Sequence, residues 1–271
     1  MSSYLARFNH QFFGPPDGRK WVFLHGLMGY GLNWRTIAQS LSSTERVLIF
    51  DQRGHGRSWK PETGYAPEDF ADDLFLILQE LAWEKIILVG HSMGGRNALI
   101  FCKKFSDKLE KLVIEDIGPD SNPDAPDFYK KLFTLIPTPF PSKLAAKEFF
   151  MNEFPKLIRG WDQPETLGAY LYSSIIEIDG GAADFRFSKQ AMIEVLQLGR
   201  AQDHWSELRQ IPVPTLVIRG QNSKELTRAN FDKMLQANPR IHGLEIPNAG
   251  HWVHSDQPEA FTKALKDFTG L

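Results

Sequence analysis

Residues 86–95 read Ile86-Ile87-Leu88-Val89-Gly90-His91-Ser92-Met93-Gly94-Gly95. The unbroken apolar run at its start predicts a short strand buried on both faces of a parallel sheet. Helical spacing follows over 94–105. A serine held between strand and helix, with glycine two positions to either side, matches G-x-S-x-G in the strand, turn and helix context that makes the pentapeptide informative. The spacing has a steric cause. The turn strains the serine backbone, and a side chain two residues away on either side would collide with the adjoining strand or helix. Ser92 is therefore the candidate nucleophile. Met93, at the start of the helix, offers an N–H that has no partner within the helix and lies at its positive end, where a developing oxyanion is stabilised. By contrast, Gly56-Arg57-Ser58-Trp59-Lys60 ends in lysine and follows no strand directly, so Ser58 reads as a turn residue.

Similar buried runs occur at 22–25, 47–51, 112–116 and 215–219, with a shorter strand at 243–246. Between them lie helical patterns, notably 67–82, which opens with proline and acidic residues, and 257–268 at the C-terminal end. Alternating strands and helices predict an α/β fold: a mostly parallel central sheet, right-handed crossovers and helices on both faces. Residues 4–13 are expected to add an antiparallel opening hairpin. The alternation stops after Gly118 and resumes near Ile211. The intervening stretch is proline-punctuated at 137–141, helical at 143–151 and 188–199, and rich in aromatic residues. Because ligands of open α/β sheets bind beyond the carboxyl ends of the strands, this stretch is read as an inserted helical cap rather than as extra core helices. The expected organisation is core over 1–118, cap over 119–208 and core again over 209–271.

Composition narrows the partner. The chain has 271 residues, 31 basic against 33 acidic, for a formal charge of −2. No broad electrostatic case exists for nucleic acid or an anionic membrane, so a small molecule is expected. The lone cysteine, Cys102, excludes an internal disulfide and any cysteine metal cluster. No apolar run forms a signal sequence or approaches the roughly 18 to 20 residues of a membrane span, which points to a cytoplasmic protein. Neither G-x-G-x-x-G nor a P-loop follows the early strands, and no cofactor or metal is expected. The sequence leaves monomer and homodimer equally open.

The other catalytic parts fall where such a sheet needs them. After the strand at 22–25 the chain reads His25-Gly26-Leu27-Met28-Gly29, and glycine at 26 lets the Leu27 N–H turn toward the site as a second oxyanion donor. His25, Asp51, Arg53 and His55 read as braces of the neighbouring loops. Near the C-terminal end, Asn248-Ala249-Gly250-His251-Trp252 follows the last strand, and His251 is the candidate base in the chain order serine, acid, histidine. His251 and His254 form H-x-x-H, but no H-E-x-x-H helix or third ligand accompanies them. His91, His10, His204 and His242 read as neighbours or surface residues. The acid is not in its commonest place, because Arg219 is followed by Gly220-Gln221-Asn222-Ser223-Lys224 with no carboxylate, and asparagine would favour the wrong histidine tautomer. The strand ending Val113-Ile114-Glu115-Asp116 carries two carboxylates that point to opposite faces, so at most one meets His251. Asp116 is preferred, being at the turn and short; Glu115 and Glu225 are the alternatives.

Together, HGLMG, DQRGHGRS, GHSMGG, EDIGP, RGQNS and NAGHWVH resemble the α/β-hydrolase superfamily over nearly the whole chain outside the cap, and within it the small YbfF-like carboxylesterases. That resemblance implies an acid after the sixth strand, in agreement with Asp116. Asp184-Phe185-Arg186-Phe187 is also similar to an aromatic, arginine and phenylalanine motif of those proteins. Dehalogenases and epoxide hydrolases of this fold use aspartate as nucleophile, which Ser92 argues against. The expectation is hydrolysis of a carboxylic ester of short or medium acyl chain through an acyl-enzyme. Its pocket is expected to be walled by Phe128, Phe133, Phe149, Phe150 and Trp161 of the cap, with His91 and Trp252 beside the reacting groups. A thioesterase or acyltransferase would use the same triad. Carbon–carbon bond hydrolysis, perhydrolysis and a non-catalytic ligand receptor are the remaining readings.

Overall fold

In the computed structural model, which describes residues 3–160 and 164–271, the apolar runs assemble into one seven-stranded sheet. The chain forms strands β1 (His10–Phe13), β2 (Lys20–Leu24), β3 (Arg46–Phe50), β4 (Ile86–His91), β5 (Leu109–Glu115), β6 (Ile175–Glu177), β7 (Ala183–Phe185), β8 (Thr215–Gly220) and β9 (Ile241–Ile246). The helices of the first half are α1 (Arg35–Leu41), α2 (Pro67–Glu80), α3 (Met93–Phe105), α4 (Ala125–Thr134) and α5 (Lys143–Glu148). After a π-helical turn at Phe149–Glu153 come α6 (Phe154–Leu157), α7 (Pro164–Ser173), α8 (Lys189–Gly199) and α9 (Trp205–Arg209). The last are α10 (Arg228–Ala237), α11 (Val253–Asp256) and α12 (Pro258–Thr269). Among the described residues no helix is long and apolar enough to cross a membrane.

The sheet order is β1-β3-β2-β4-β5-β8-β9, with every pairing parallel except β1 to β3. Residues 4–13 thus depart from the expected hairpin. Leu5–Arg7 is a 3-10 turn, and β1 crosses to the far edge of β3, where His10 faces Phe50, instead of folding back on its neighbour in sequence. There it covers hydrogen-bonding groups that would otherwise form an open edge. From β2 the chain moves outward to β3, then returns to β4 on the other side of β2. This reversal parts the loops after β2 and β4 and opens a crevice at their carboxyl ends.

Alternation along each strand feeds two cores. Ile86 and Leu88 of β4 join a cluster with Ala71, Leu74 and Ile77 of α2 and Ala98 of α3, while Ile87 and Val89 point oppositely, toward Trp34 and Phe261. The inserted helices make a third cluster around Phe150, Phe154 and Phe185, which rests on the sheet loops through Met28 and Met93. Leu208 of α9 already belongs to the first cluster, so the separately packed part of the insertion ends before α9. Strain gathers above the sheet. Met28, Ser92, Asp116 and Asn248, which follow β2, β4, β5 and β9, all have positive φ. Such conformations cost about 1–3 kcal/mol each and persist where the surroundings enforce them.

Candidate active site

Ser92 joins β4 to α3 with φ 52° and ψ −117°. Its flanking glycines are steric necessities. A Cβ on Gly90 would come 2.3 Å from the Gly94 carbonyl oxygen, and one on Gly94 would come 2.4 Å from that of Leu24. The Ser92 N–H donates to the Glu115 carbonyl at 3.0 Å, which ties the elbow to β5.

Asp116, fully buried at the turn beyond β5, accepts from the Gly220 N–H at 3.0 Å and from the Ser223 hydroxyl. Its Oδ2 also lies 2.8 Å from Nδ1 of His251. An ionised carboxylate can only accept, so the imidazole proton sits on Nδ1 and Nε2 is left as a base. The segment after β8 therefore contributes donors, where the commonest arrangement would supply the acid itself. Glu115 turns to the opposite face, as alternation requires. Both its oxygens lie 2.9 Å from Nδ1 of His254, whose ring packs on Trp34. Glu225 pairs with Arg200 instead. His251 and His254 thus serve different carboxylates.

Burial opposes protonation of His251, but the hydrogen bond and charge of Asp116, followed by the charges of Glu225 and Glu115, outweigh it and raise its pKa above the ordinary value. Only the neutral imidazole can accept a proton, so were His251 the general base, activity would fall as pH drops through this raised pKa. The acidic limb of kcat/KM is therefore expected above about 6.5, the usual histidine value. Glu225→Gln removes a raising charge and should move that limb to lower pH; a pH profile of both proteins checks the sign.

His91 donates from Nε2 to the His251 carbonyl at 2.9 Å. Burial, then the charges of His251 and His254, keep its own pKa well below the usual value, so it remains neutral. His25 braces its loop, donating from Nδ1 to the Gly26 carbonyl and accepting at Nε2 from the Gln52 N–H at 2.9 Å. Asp51 ties the neighbouring turn by accepting from the N–H groups of Gly31 and Arg57. Leu27 and Met93 line one cavity of about 130 Å³ together with Ser92, His91, His251 and Trp252. Two side chains of the insertion hold the Leu27 loop: Tyr170 Oη donates to the Leu27 carbonyl at 2.6 Å, and Ser174 Oγ to that of Met28 at 2.8 Å.

The aromatics expected to wall the pocket require correction. Phe133 and Phe150 are buried inside the third cluster and Phe149 packs against it, because at helical spacing these rings face neighbouring elements of that cluster. Phe128 is 43% exposed, one residue round the helix from the ring that does face the cavity. Trp161 lies outside the described residues. The cavity is lined instead by Tyr129, Leu167, Tyr170, Val195 and Leu196. Arg96, Arg200 and Glu225 add charged groups to the wall. Arg96, which the sequence reading does not single out, stands one turn after Ser92 on a helix whose first ten residues are all buried. His204, far from being superficial, is only 2% exposed.

These features agree with what comparison finds. The chain is 29% identical over 252 residues to 2-(acetamidomethylene)succinate hydrolase of Mesorhizobium japonicum, covering 93% of this chain and 88% of that protein. A crystal structure of E-2-(acetamidomethylene)succinate hydrolase superposes with a TM-score of 0.83 at 28% identity, over 97% of this chain and 95% of the other. An esterase from a marine microorganism superposes with a TM-score of 0.79 at 26% identity, over 96% and 98% of the two chains. Residues 21–264 match the alpha/beta hydrolase family. With nine-tenths of its length matched and the strand, elbow and helix of that fold in place, the chain belongs to the alpha/beta hydrolase family and is a hydrolase.

Proposed function

We propose that Ser92, His251 and Asp116 cleave a carboxylic ester through an acyl-enzyme. The observation that carries this reading is the hydrogen bond from His251 Nδ1 to the buried Asp116, with His251 lining the same cavity as the strained serine. Ser92 Oγ attacks the ester carbonyl carbon as His251 Nε2 takes its proton. The tetrahedral oxyanion is held by the N–H groups of Leu27 and Met93. The carbon–oxygen bond to the alcohol then breaks, and the departing alkoxide receives the proton from His251. Water, deprotonated by the same Nε2, releases the acid and restores Ser92. Asp116 keeps the tautomer and stabilises the imidazolium.

The inserted helices act in this scheme as a cap, supplying Tyr129 and Tyr170 to the wall. A short acyl chain suits the volume, because an enclosed apolar cavity of about 150 Å³ holds one benzene ring. The test combines p-nitrophenyl esters of increasing chain length, matched thioesters and a fluorophosphonate probe. The expected result is a covalent adduct on the peptide carrying Ser92, formed in step with loss of activity, and faster cleavage of short oxygen esters. Full inactivation with the adduct on another residue would end the assignment of Ser92, and preference for thioesters would make the protein a thioesterase.

A further inference from the structure

The wall of the cavity carries charge for which acyl transfer has no use. Arg96 stands one turn along α3 from Ser92 and is only 5% exposed, yet it lines the cavity. Among the described residues its Nη2 reaches only the carbonyls of Gly118 and Asp120, at 3.4 and 3.3 Å, and its Nη1 is buried with no hydrogen-bond partner. The Asp120 carboxylate is engaged elsewhere, by Trp205 Nε1 and Asn230 Nδ2. Arg200, at the end of α8, lines the same wall and is paired with Glu225. Of the carboxylates whose charge reaches Arg96, Glu225 is thus paired with Arg200 and Asp120 is held by Trp205 and Asn230. Burial, then the charge of Arg200, bring the pKa of Arg96 down to about 9, which still leaves it cationic at neutral pH. A buried, unpaired guanidinium is destabilising and is expected only where something else completes its charge and hydrogen bonding.

The same cavity is also lined by the apolar side chains of Leu27, Val195 and Leu196. One cavity therefore holds the reacting serine together with two guanidinium groups and one carboxylate. Arg96 stands four positions beyond Ser92, a helical rise of about 6 Å. That matches a chain of a few carbons between a reacting carbonyl and a terminal anion. We propose that Arg96, supported by Arg200, forms a subsite for a free carboxylate on the substrate, so that the preferred ester is the half ester of a short dicarboxylic acid. This inference rests on the ester-hydrolase reading.

The test compares monomethyl glutarate with methyl 5-methylhexanoate, a neutral ester in which a branched alkyl end replaces the carboxylate. The expected kcat/KM is at least about tenfold higher for the half ester, carried mostly by KM, the usual scale of a hydrogen-bonded charge. Arg96→Met should reduce that ratio toward one, and Arg96→Lys should restore part of it. A third measurement needs neither variant nor turnover: glutarate should raise the thermal midpoint of the wild-type protein more than glutaramide or inorganic phosphate at equal ionic strength. Cleavage of both esters with equal efficiency would overturn the subsite and leave the ester-hydrolase reading intact. Stabilisation by glutarate with neither ester cleaved would do the reverse. Stronger stabilisation by phosphate than by glutarate would overturn the choice of carboxylate.

Discussion

Ser92→Ala is expected to lower kcat by a factor on the order of 10⁶, the scale set when a triad serine is removed from a serine hydrolase. The substitution deletes one oxygen and little else. The serine is nearly buried, and its φ of 52° strains alanine as much as serine, so folding should survive. Unchanged thermal unfolding would show that the loss is chemical. The remaining rate should still exceed the uncatalysed one by about 10³ to 10⁴, because two oriented N–H groups and substrate binding persist. A variant retaining more than about one hundredth of the wild-type kcat would exclude Ser92 as nucleophile, since even the most tolerant triad position costs far more than that.

The second large effect separates two adjacent carboxylates. Asp116→Asn should lower kcat by about 10⁴, near 5 kcal/mol of transition-state stabilisation. The reason lies in the donors around Asp116. Gly220 N–H and the Ser223 hydroxyl both approach its oxygens, and His251 approaches through Nδ1. An asparagine keeps its oxygen toward Gly220 and turns its NH₂ toward the imidazole. Nδ1 must then accept, the proton moves to Nε2, and the base is lost. Glu115→Gln, one residue earlier, acts on His254 and the packing around Trp34, so it should reduce stability while costing kcat at least about a hundredfold less than Asp116→Asn. Steady-state kinetics and thermal unfolding of the two variants suffice. If only the glutamate change abolished turnover, the acid would be Glu115.

How far these features could be read beforehand depends on the range of the interactions behind them. The strands are legible from the apolar runs at 86–89 and 112–114, which face the core on both sides, a local property. Glycine at 90 likewise reports a collision within a few residues, with Gly94, whereas glycine at 94 answers to the Leu24 carbonyl of a neighbouring strand. The separation of Glu115 from Asp116 follows from alternation along one strand. The first strand was different: whether residues near His10 fold on their neighbour or cross to β3 depends on which edge lies open, and no short window holds that information. Which aromatics face the cavity is equally hidden from a short window. Phe128 and Tyr129 are adjacent on α4, about 100° apart around its axis, and only the packing of other helices determines which ring meets the cavity. Arg96 was overlooked because a cation near a helix start reads as solvated, whereas here the sheet and the insertion enclose it.

The two hydroxyl contacts on the Leu27 and Met28 carbonyls have a consequence for exchanging parts between relatives. A foreign insertion transplanted onto this sheet would strip both carbonyls of their donors unless it also carried hydroxyls at the positions of Tyr170 and Ser174. Chimeras that preserve those two contacts should keep the loop's geometry whatever substrate the new helices select, and chimeras that lack them should fold yet turn over slowly.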